Sequence, residues 1–309
     1  MSQKPVLLFI VGPTASGKTA LSIELAKHFH TEIISADSRQ VFKELNIGTA
    51  KPTADELLQV PHHLVGHLSI EQDYSAGKFE TEALSIAEQL FKRYPLVIVS
   101  GGTGLYVNAL LNGMDELPKI DEAVRKKVIN GYEEKGLQWL QSQVAALDPI
   151  YYQQVDIQNP QRLMRALEVS IACNKPYSSF RSGKKSERPF DTIKIGLDPG
   201  REQLYANINR RVEKMMEQGL LEEVKSVWDY RDRNALQTVG YTELFNYLDG
   251  KTDYEEAVAL IKQNTRRYAK RQMTWFRKDK EIKWFNPADN TAILSYVEQC
   301  MNEKYPSEI

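Results

Sequence analysis

Four short apolar runs predict strands, and helical patterns lie between them. The runs occupy 6–11, 32–36, 96–100 and 192–197. The third run does not alternate between apolar and polar residues, so we expect both faces of that strand to be buried. Strands that alternate with helices in this way predict an α/β fold, in which helices flank a parallel sheet.

Helical spacing dominates two longer parts of the chain. The pattern is helical from 121 to about 174, and another long helix is predicted from 253 to about 278. A strand pattern returns after the first of these parts, so we interpret 114–190 as a helical insertion. The α/β core would then comprise 1–113 and 191–309, with a mostly helical C-terminal part.

A phosphate-binding loop follows the first apolar run. It matches the G-x-x-x-x-G-K-[ST] pattern and lies between a predicted strand and a predicted helix. The loop comprises Gly12, Pro13, Thr14, Ala15, Ser16, Gly17, Lys18 and Thr19. Its backbone N–H groups can point at an anion, Lys18 can reach the terminal phosphate, and Thr19 can hold Mg²⁺. The motif predicts a P-loop NTPase-like core and a bound di- or triphosphate. Taken alone, it is typical of ATP binding.

Asp37 is the candidate general base. Phosphate-loop NTPases normally carry a Mg²⁺-binding aspartate at the end of a strand, but the third predicted strand ends in serine and glycines. Asp37 follows the second strand instead. Ligands of parallel sheets bind at the carboxyl ends of strands, so the loops 12–19, 37–42 and 101–106 should converge. Asp37 could then accept a proton from a nucleophile, or it could simply cap a turn. Thr103, in the third loop, could offer a hydroxyl, although the glycines around it could serve packing alone.

Composition excludes several classes of protein. The chain has 309 residues, 42% of them hydrophobic and 26% charged, with a net charge of −1, which suits a globular protein and makes no general case for nucleic acid. Cys173 and Cys300 imply neither a zinc site nor a disulfide framework. His62, His63 and His67 have no acidic or cysteine partner at metal-binding spacing, so we expect hydrogen-bonded loop histidines. With no signal peptide or membrane-length apolar run, we expect a cytoplasmic protein.

Positive charge is nevertheless concentrated locally. The segment 262–283 holds nine lysines and arginines against two acids. At helical spacing Tyr268, Arg271 and Trp275 share one face, which could stack on unpaired bases. The alternative is a solvated helix that packs its aromatic residues on the core. The loop 181–188 is a second basic site.

A third basic site lies in the predicted insertion. Arg162 and Arg165 point away from the apolar stripe that Leu163, Leu167 and Ile171 form on a helix, so they could bind phosphate. Three basic sites around a helical insertion favour a folded RNA over a small metabolite as partner.

Several segments together resemble the bacterial tRNA dimethylallyltransferases, also called tRNA isopentenyltransferases. The similar segments span nearly the whole chain: 12–19, 37–42, 61–64, 74–79, 101–106, 159–168, 237–241 and 265–277. The resemblance implies transfer of a dimethylallyl group to the exocyclic amine of the adenosine just 3′ of the anticodon in tRNA. It also implies that the phosphate loop holds dimethylallyl diphosphate rather than ATP.

The resemblance further implies roles for individual residues. Lys18, Thr19 and Arg211 would act on the departing diphosphate together with Mg²⁺, and Asp37 would orient and deprotonate the amine. The implied tRNA contacts are Asp37, Ser38, Arg39, Gln40, Thr103, Gln161, Arg162, Leu163, Met164 and Arg165. The insertion 114–190 would grip the anticodon stem, and we expect a monomer. A nucleotide or small-molecule kinase that uses ATP stays open as the alternative.

Overall fold

A parallel sheet lies at the centre of the larger of two compact units. The structure is a computed structural model that describes residues 3–115, 117–181, 183 and 185–305. The strands that these residues form are β1 (Val6–Val11), β2 (Ile33–Ser35), β3 (His62–His63), β4 (Leu96–Gly101), β5 (Asp191–Leu197) and β6 (Lys283–Phe285). Their order in the sheet is β3-β2-β4-β1-β5-β6, and every neighbouring pair is parallel.

Helices of the larger unit (1–112 and 187–309) surround this sheet. They are α1 (Lys18–His28), α2 (Ala54–Gln59), α3 (Ala76–Phe91), α4 (Gly104–Asn112), α8 (Arg201–Glu217), α9 (Leu220–Ser226), α10 (Tyr241–Leu248), α11 (Tyr254–Phe276) and α12 (Asn290–Lys304). The α/β fold is therefore confirmed. No helix among the residues that the structure describes is both long and apolar enough to cross a membrane.

The two central strands are buried on both faces. Every residue of β1 is at most 1% exposed. Leu7 and Phe9 pack into one apolar cluster with α3 and α4, whereas Leu8 and Ile10 pack into a second cluster with α1 and α12. The buried strand predicted at 96–100 is confirmed, because the first four residues of β4 are also buried. The sheet therefore provides a rigid support for the loops at its carboxyl edge.

Two strands escaped prediction, and both lie at an edge of the sheet. β3 contains two residues and β6 contains three, which is too short for a period-2 pattern to show. β6 also begins at Lys283, the last residue of the basic segment 262–283. The four predicted strands and the long helix at 253–278 are present within a few residues of their expected ends.

The smaller unit comprises residues 113–186. Its described residues form α5 (Glu122–Leu147), α6 (Pro149–Gln154) and α7 (Pro160–Cys173), with no strand. Leu163 and Leu167 are buried against Val128, Leu140 and Val144. This unit is thus a helical insertion with its own apolar core.

One part of the predicted stripe on α7 is wrong. Ile171 is 37% exposed, and the buried positions at this end of the helix are Val169 and Ser170. The Ser170 hydroxyl accepts the Tyr177 N–H at 3.1 Å, because the chain folds back there in a 3₁₀ turn. That turn packs against the last part of the helix and brings Tyr177 to the apolar core of the unit.

Candidate active site

A cavity of about 720 Å³ opens at the carboxyl edge of the sheet, within the larger unit. Residues of the loops 12–19, 37–42 and 101–106 line it, so their predicted convergence is confirmed. The Thr103 hydroxyl accepts the Ser38 N–H at 3.0 Å, which ties two of the loops together. Helices α8 and α11 supply the opposite wall.

The phosphate loop has a backbone shape that its glycines permit. Gly12 has φ 148° and Gly17 has φ 92°, in the region that side chains disfavour. A Cβ at Gly12 would lie 2.8 Å from the Leu197 carbonyl oxygen, so this position also needs glycine for space. Since α1 begins at Lys18, within the last two residues of the loop, its N-terminus faces the cavity and can attract an anion.

Lys18, near the end of this loop, is half-buried and lines the cavity. Its Nζ donates to the Pro13 carbonyl oxygen at 2.7 Å. Burial, together with the positive charge of Arg211, lowers the pKa of Lys18 to about 7, although Asp37 acts in the opposite direction. A bound anion would offset both of these effects and favour the charged form.

Arg211 extends from α8 to the same loop. Its Nη1 donates to the Thr14 hydroxyl at 3.2 Å, and burial lowers the pKa of its guanidinium. The adjacent Arg210 is exposed and does not line the cavity. Of the two arginines, Arg211 is thus the one placed to meet an anion in the phosphate loop.

Asp37 lines the same cavity as the cations Lys18 and Arg211. Its Oδ1 accepts the N–H groups of Arg39 and Gln40 at 2.9 and 3.2 Å. This oxygen therefore shapes the loop, as a turn-capping aspartate would. Burial raises the pKa of the neighbouring Tyr268 to about 12, and the negative charge of Asp37 acts in the same direction. Oδ2 makes no hydrogen bond to the residues that the structure describes, so it is available to a ligand.

The other predicted residues of this loop contact protein groups. The Arg39 guanidinium donates to the Asn234 carbonyl oxygen at 2.7 Å, and burial lowers its pKa. Gln40 donates to the carbonyl oxygens of Thr49 and Ala50 at 3.2 and 3.1 Å. Both side chains therefore hold neighbouring loops that form the wall of the cavity.

The arrangement of oxygens bears on a metal. The Thr19 hydroxyl and the Asp37 carboxylate belong to the same cavity. Ser16 adds a buried hydroxyl with no hydrogen-bond partner among the described residues. Within that part of the chain, three or more histidines, cysteines or acids do not come together as a metal site. Such a sparse set of oxygens suits Mg²⁺ held largely by a ligand's phosphates.

The three histidines are hydrogen-bonded or packed against protein groups, although His62 and His63 lie in the short edge strand β3 and not in a loop as expected. His62 Nδ1 lies 2.8 Å from the Val60 carbonyl oxygen. His63 Nε2 lies 2.7 Å from Glu32 Oε2. His67 packs its ring against a tyrosine. They do not share a metal centre.

Sequence reasoning missed Gln272, which lines the cavity from α11. Its amide oxygen accepts the Thr14 N–H at 2.8 Å, and its amide nitrogen donates to the Gly102 carbonyl oxygen at 2.9 Å. Tyr268 and Arg271, which the sequence placed on one helix face, line the same wall. The helix face that Tyr268 and Arg271 share was the available signal, because Gln272 directly follows Arg271.

The predicted residues of α7 lie in the smaller unit. Asn159 caps the helix by accepting the Arg162 N–H at 3.2 Å, and Gln161 and Arg162 are exposed. Arg165 Nη1 lies 3.4 Å from the buried Glu168 carboxylate, so its charge is partly balanced. Met164 is half-buried. Leu163 is fully buried, so its side chain belongs to the core of this unit.

Comparison with known proteins identifies one family. A family model described as "IPP transferase" matches residues 40–279. The tRNA dimethylallyltransferase 1 of Bacteroides thetaiotaomicron is 51% identical over 293 residues, which cover 95% of each chain. The tRNA dimethylallyltransferase of Cytophaga hutchinsonii is 51% identical over 96% of this chain and 98% of its own.

Solved structures give the same result. The full-length tRNA isopentenylpyrophosphate transferase from Bacillus halodurans superposes with a TM-score of 0.73 at 37% identity and covers 99% of both chains. A eukaryotic dimethylallyltransferase acting on tRNA superposes with a TM-score of 0.76 at 27% identity, over 96% of this chain and 78% of its own.

Proposed function

Because the chain belongs to the IPP transferase family, we propose that it transfers a dimethylallyl group from dimethylallyl diphosphate to tRNA. The acceptor is the exocyclic amine of the adenosine 3′-adjacent to the anticodon. The bond between the allylic carbon and the diphosphate oxygen breaks, and a bond from that carbon to the amine nitrogen forms. Diphosphate leaves, and the amine loses one proton. One cavity with a phosphate loop on one side and Asp37 on the other carries this proposal.

The donor half consists of the phosphate loop and Arg211. Loop amides, the start of α1, Lys18 and Arg211 all place positive charge where the diphosphate would lie. Negative charge grows on the diphosphate as the carbon–oxygen bond breaks, so these groups stabilise the transition state more than the bound donor. The phosphate loop would thus stabilise a diphosphate that leaves, and not a phosphate that is transferred.

Mg²⁺ fits this half of the site. Thr19 would hold it, and phosphate oxygens of the donor would complete an oxygen coordination. When bound, the ion supplies further positive charge against the developing diphosphate. Lys18 and Arg211 supply the same kind of stabilisation from the protein.

The acceptor half consists of Asp37 and the loop after β4. Oδ1 of Asp37 is held by two backbone N–H groups, which leaves Oδ2 to orient the adenine amine and take its proton. Thr103 lies next to Ser38 and can contact the same base. The adenine must leave its stack in the anticodon loop to reach this point.

Positive surfaces support tRNA as the partner. In the larger unit, the exposed Arg271 lines the cavity beside Tyr268. In the smaller unit, Arg162 is exposed at the start of α7, and we propose that this unit grips the anticodon stem. The basic loop 181–188 is a further candidate, although Ser182 and Lys184 lie outside the described residues. A cavity built from one chain suits a monomer, and a tRNA substrate suits the cytoplasm.

The kinase alternative is not favoured, since the relatives and the similar structures are named as transferases that act on tRNA. A labelled-donor assay separates the two activities. The protein is incubated with labelled dimethylallyl diphosphate or labelled ATP, with and without unmodified tRNA. We expect label in tRNA from the prenyl donor alone. Transfer from ATP and none from the prenyl donor would reject the proposal.

Asp37→Asn tests the base more sharply than truncation does. Asparagine keeps an oxygen that can accept the Arg39 and Gln40 N–H groups, but it cannot take a proton. We expect turnover to fall by about 10²–10⁴-fold with tRNA affinity retained. Asp229→Asn, at an exposed aspartate outside the cavity lining, is the matched control. Near-normal turnover in Asp37→Asn would exclude the base role.

A further inference from the structure

Gln272 joins two loops that are distant in the sequence. It bonds to the phosphate loop at Thr14 and to the loop after β4 at Gly102, at 2.8 and 2.9 Å. The side chain is only 7% exposed, so water competes little for either bond. One side chain on α11 therefore fixes the spacing between these loops.

The two loops belong to different halves of the proposed site. On the donor side, Thr14 accepts a hydrogen bond from Arg211 at 3.2 Å. On the acceptor side, Thr103 accepts the Ser38 N–H at 3.0 Å. Gln272 bonds to the first pair directly and to the residue that precedes Thr103. A chain of hydrogen bonds thus runs from the diphosphate-binding groups to the loop that holds the base.

A primary amide is well suited to this place. One loop presents an N–H and the other presents a carbonyl oxygen, so the linking group must accept and donate at once. A carboxylate at Gln272 would offer acceptors alone. The fit is also close, because a Cβ at Gly102 would lie 2.3 Å from the amide nitrogen. A differently shaped group would have to displace one of the loops.

We propose that Gln272 is a positioning residue that favours transfer to the amine over hydrolysis of the donor. This inference rests on the proposed function. In hydrolysis the carbon–oxygen bond to the diphosphate breaks and water bonds to the allylic carbon, so that dimethylallyl alcohol, diphosphate and a proton result. Small errors in the spacing of reacting groups are costly. A misplaced amine would leave the activated donor open to attack by water.

The experiment measures how donor consumption divides between the two products. Gln272→Glu and Gln272→Met are compared with Gln263→Glu and Gln263→Met. Gln263 is exposed on the same helix and lies outside the cavity lining, so the controls carry identical chemical changes. Each protein receives labelled dimethylallyl diphosphate and unmodified tRNA, and labelled tRNA and labelled alcohol are both quantified.

We expect the Gln272 variants to lose about tenfold in tRNA product per donor consumed. Their donor KM and tRNA affinity should stay near those of the Gln263 variants. The inference would be overturned if Gln272→Glu is slow but divides the consumed donor between labelled tRNA and labelled alcohol in the same proportion as the wild type. A rise in donor KM at unchanged kcat would overturn it as well. Gln272→Glu differs least in shape, so it decides the question if the methionine variant fails to fold. A wild-type protein that consumes no prenyl donor would overturn the proposed function instead.

Discussion

Glu223 holds a loop that forms one wall of the cavity, and its replacement should loosen that wall. Its carboxylate accepts the N–H groups of Asn46, Ile47 and Gly48 at 3.0, 2.8 and 3.0 Å and the Tyr241 hydroxyl at 2.6 Å. The approach is close, since a Cβ at Gly48 would lie 2.5 Å from the Tyr241 ring. Four donors thus depend on one acceptor group.

Glu223→Gln removes the charge and turns one acceptor oxygen into a donor. Two of the four hydrogen bonds are then lost or opposed. Hydrogen bonds to charged groups contribute about 1.5–3 kcal/mol each, and the lower value applies to this half-buried carboxylate. The free energy of unfolding should fall by about 3 kcal/mol. For a chain of 309 residues, the melting temperature should fall by about 5 °C.

Thermal unfolding measures the stability, and amide hydrogen exchange localises the change. Glu222→Gln is the matched control, because that side chain is 70% exposed and pairs with Lys225 at 3.5 Å. Exposed pairs of this kind contribute about 0–1 kcal/mol. Exchange should accelerate at the amides of residues 46–48 in Glu223→Gln and remain unchanged in Glu222→Gln. Equal melting temperatures for the two variants would refute this reasoning.

Loosening this wall should also affect the site. The same loop supplies the Thr49 and Ala50 carbonyl oxygens that hold Gln40, close to Asp37. We therefore expect slower transfer in Glu223→Gln even at temperatures at which it is fully folded. Unchanged turnover under those conditions would show that Gln40 needs no such support.

Three further changes test other parts of the chain. Arg162→Ala combined with Arg165→Ala should weaken tRNA binding and flatten its salt dependence, and an unchanged slope of affinity against salt would exclude contact with phosphate. Asp148→Ala should lower the free energy of unfolding of the smaller unit by about 4–5 kcal/mol in denaturant titrations, because a carboxylate only 1% exposed there accepts three hydrogen bonds. Gly104→Ala should cost about 1–3 kcal/mol in the same titration, because its Cβ would lie 2.2 Å from the Trp275 ring.

Local signals made much of this fold predictable. The phosphate loop is recognisable from the sequence because one strand, one turn and the start of one helix determine its shape within about fifteen residues. The convergence of three loops followed from the rule that parallel strands share a carboxyl edge. Exposure of Ile171 did not follow, because a turn folded back from outside the helix covers the positions beside it.

Tertiary contacts made the rest unpredictable. Gln272 bonds to a residue 258 positions away, and no local pattern records such a pair. Arg39 illustrates a second contact of this kind, because a basic residue in a candidate RNA-binding loop donates to the distant Asn234 carbonyl oxygen. Residue type and position indicate that a side chain belongs to a site. Only the fold shows whether it faces the ligand or supports a neighbour that does.

The distinction between an ATP site and a prenyl donor site lies outside the phosphate loop itself. Loop amides and a helix N-terminus recognise an anion whatever group it carries, so the loop alone leaves the reaction open. The groups opposite the loop decide what happens to the bound phosphates. Here the half-buried carboxylate of Asp37 shares the cavity with two half-buried cations, Lys18 and Arg211. That arrangement suits a diphosphate that leaves while a neighbouring amine gives up its proton. A side chain that fixes the spacing between the donor half and the acceptor half of the site then matters as much as either half.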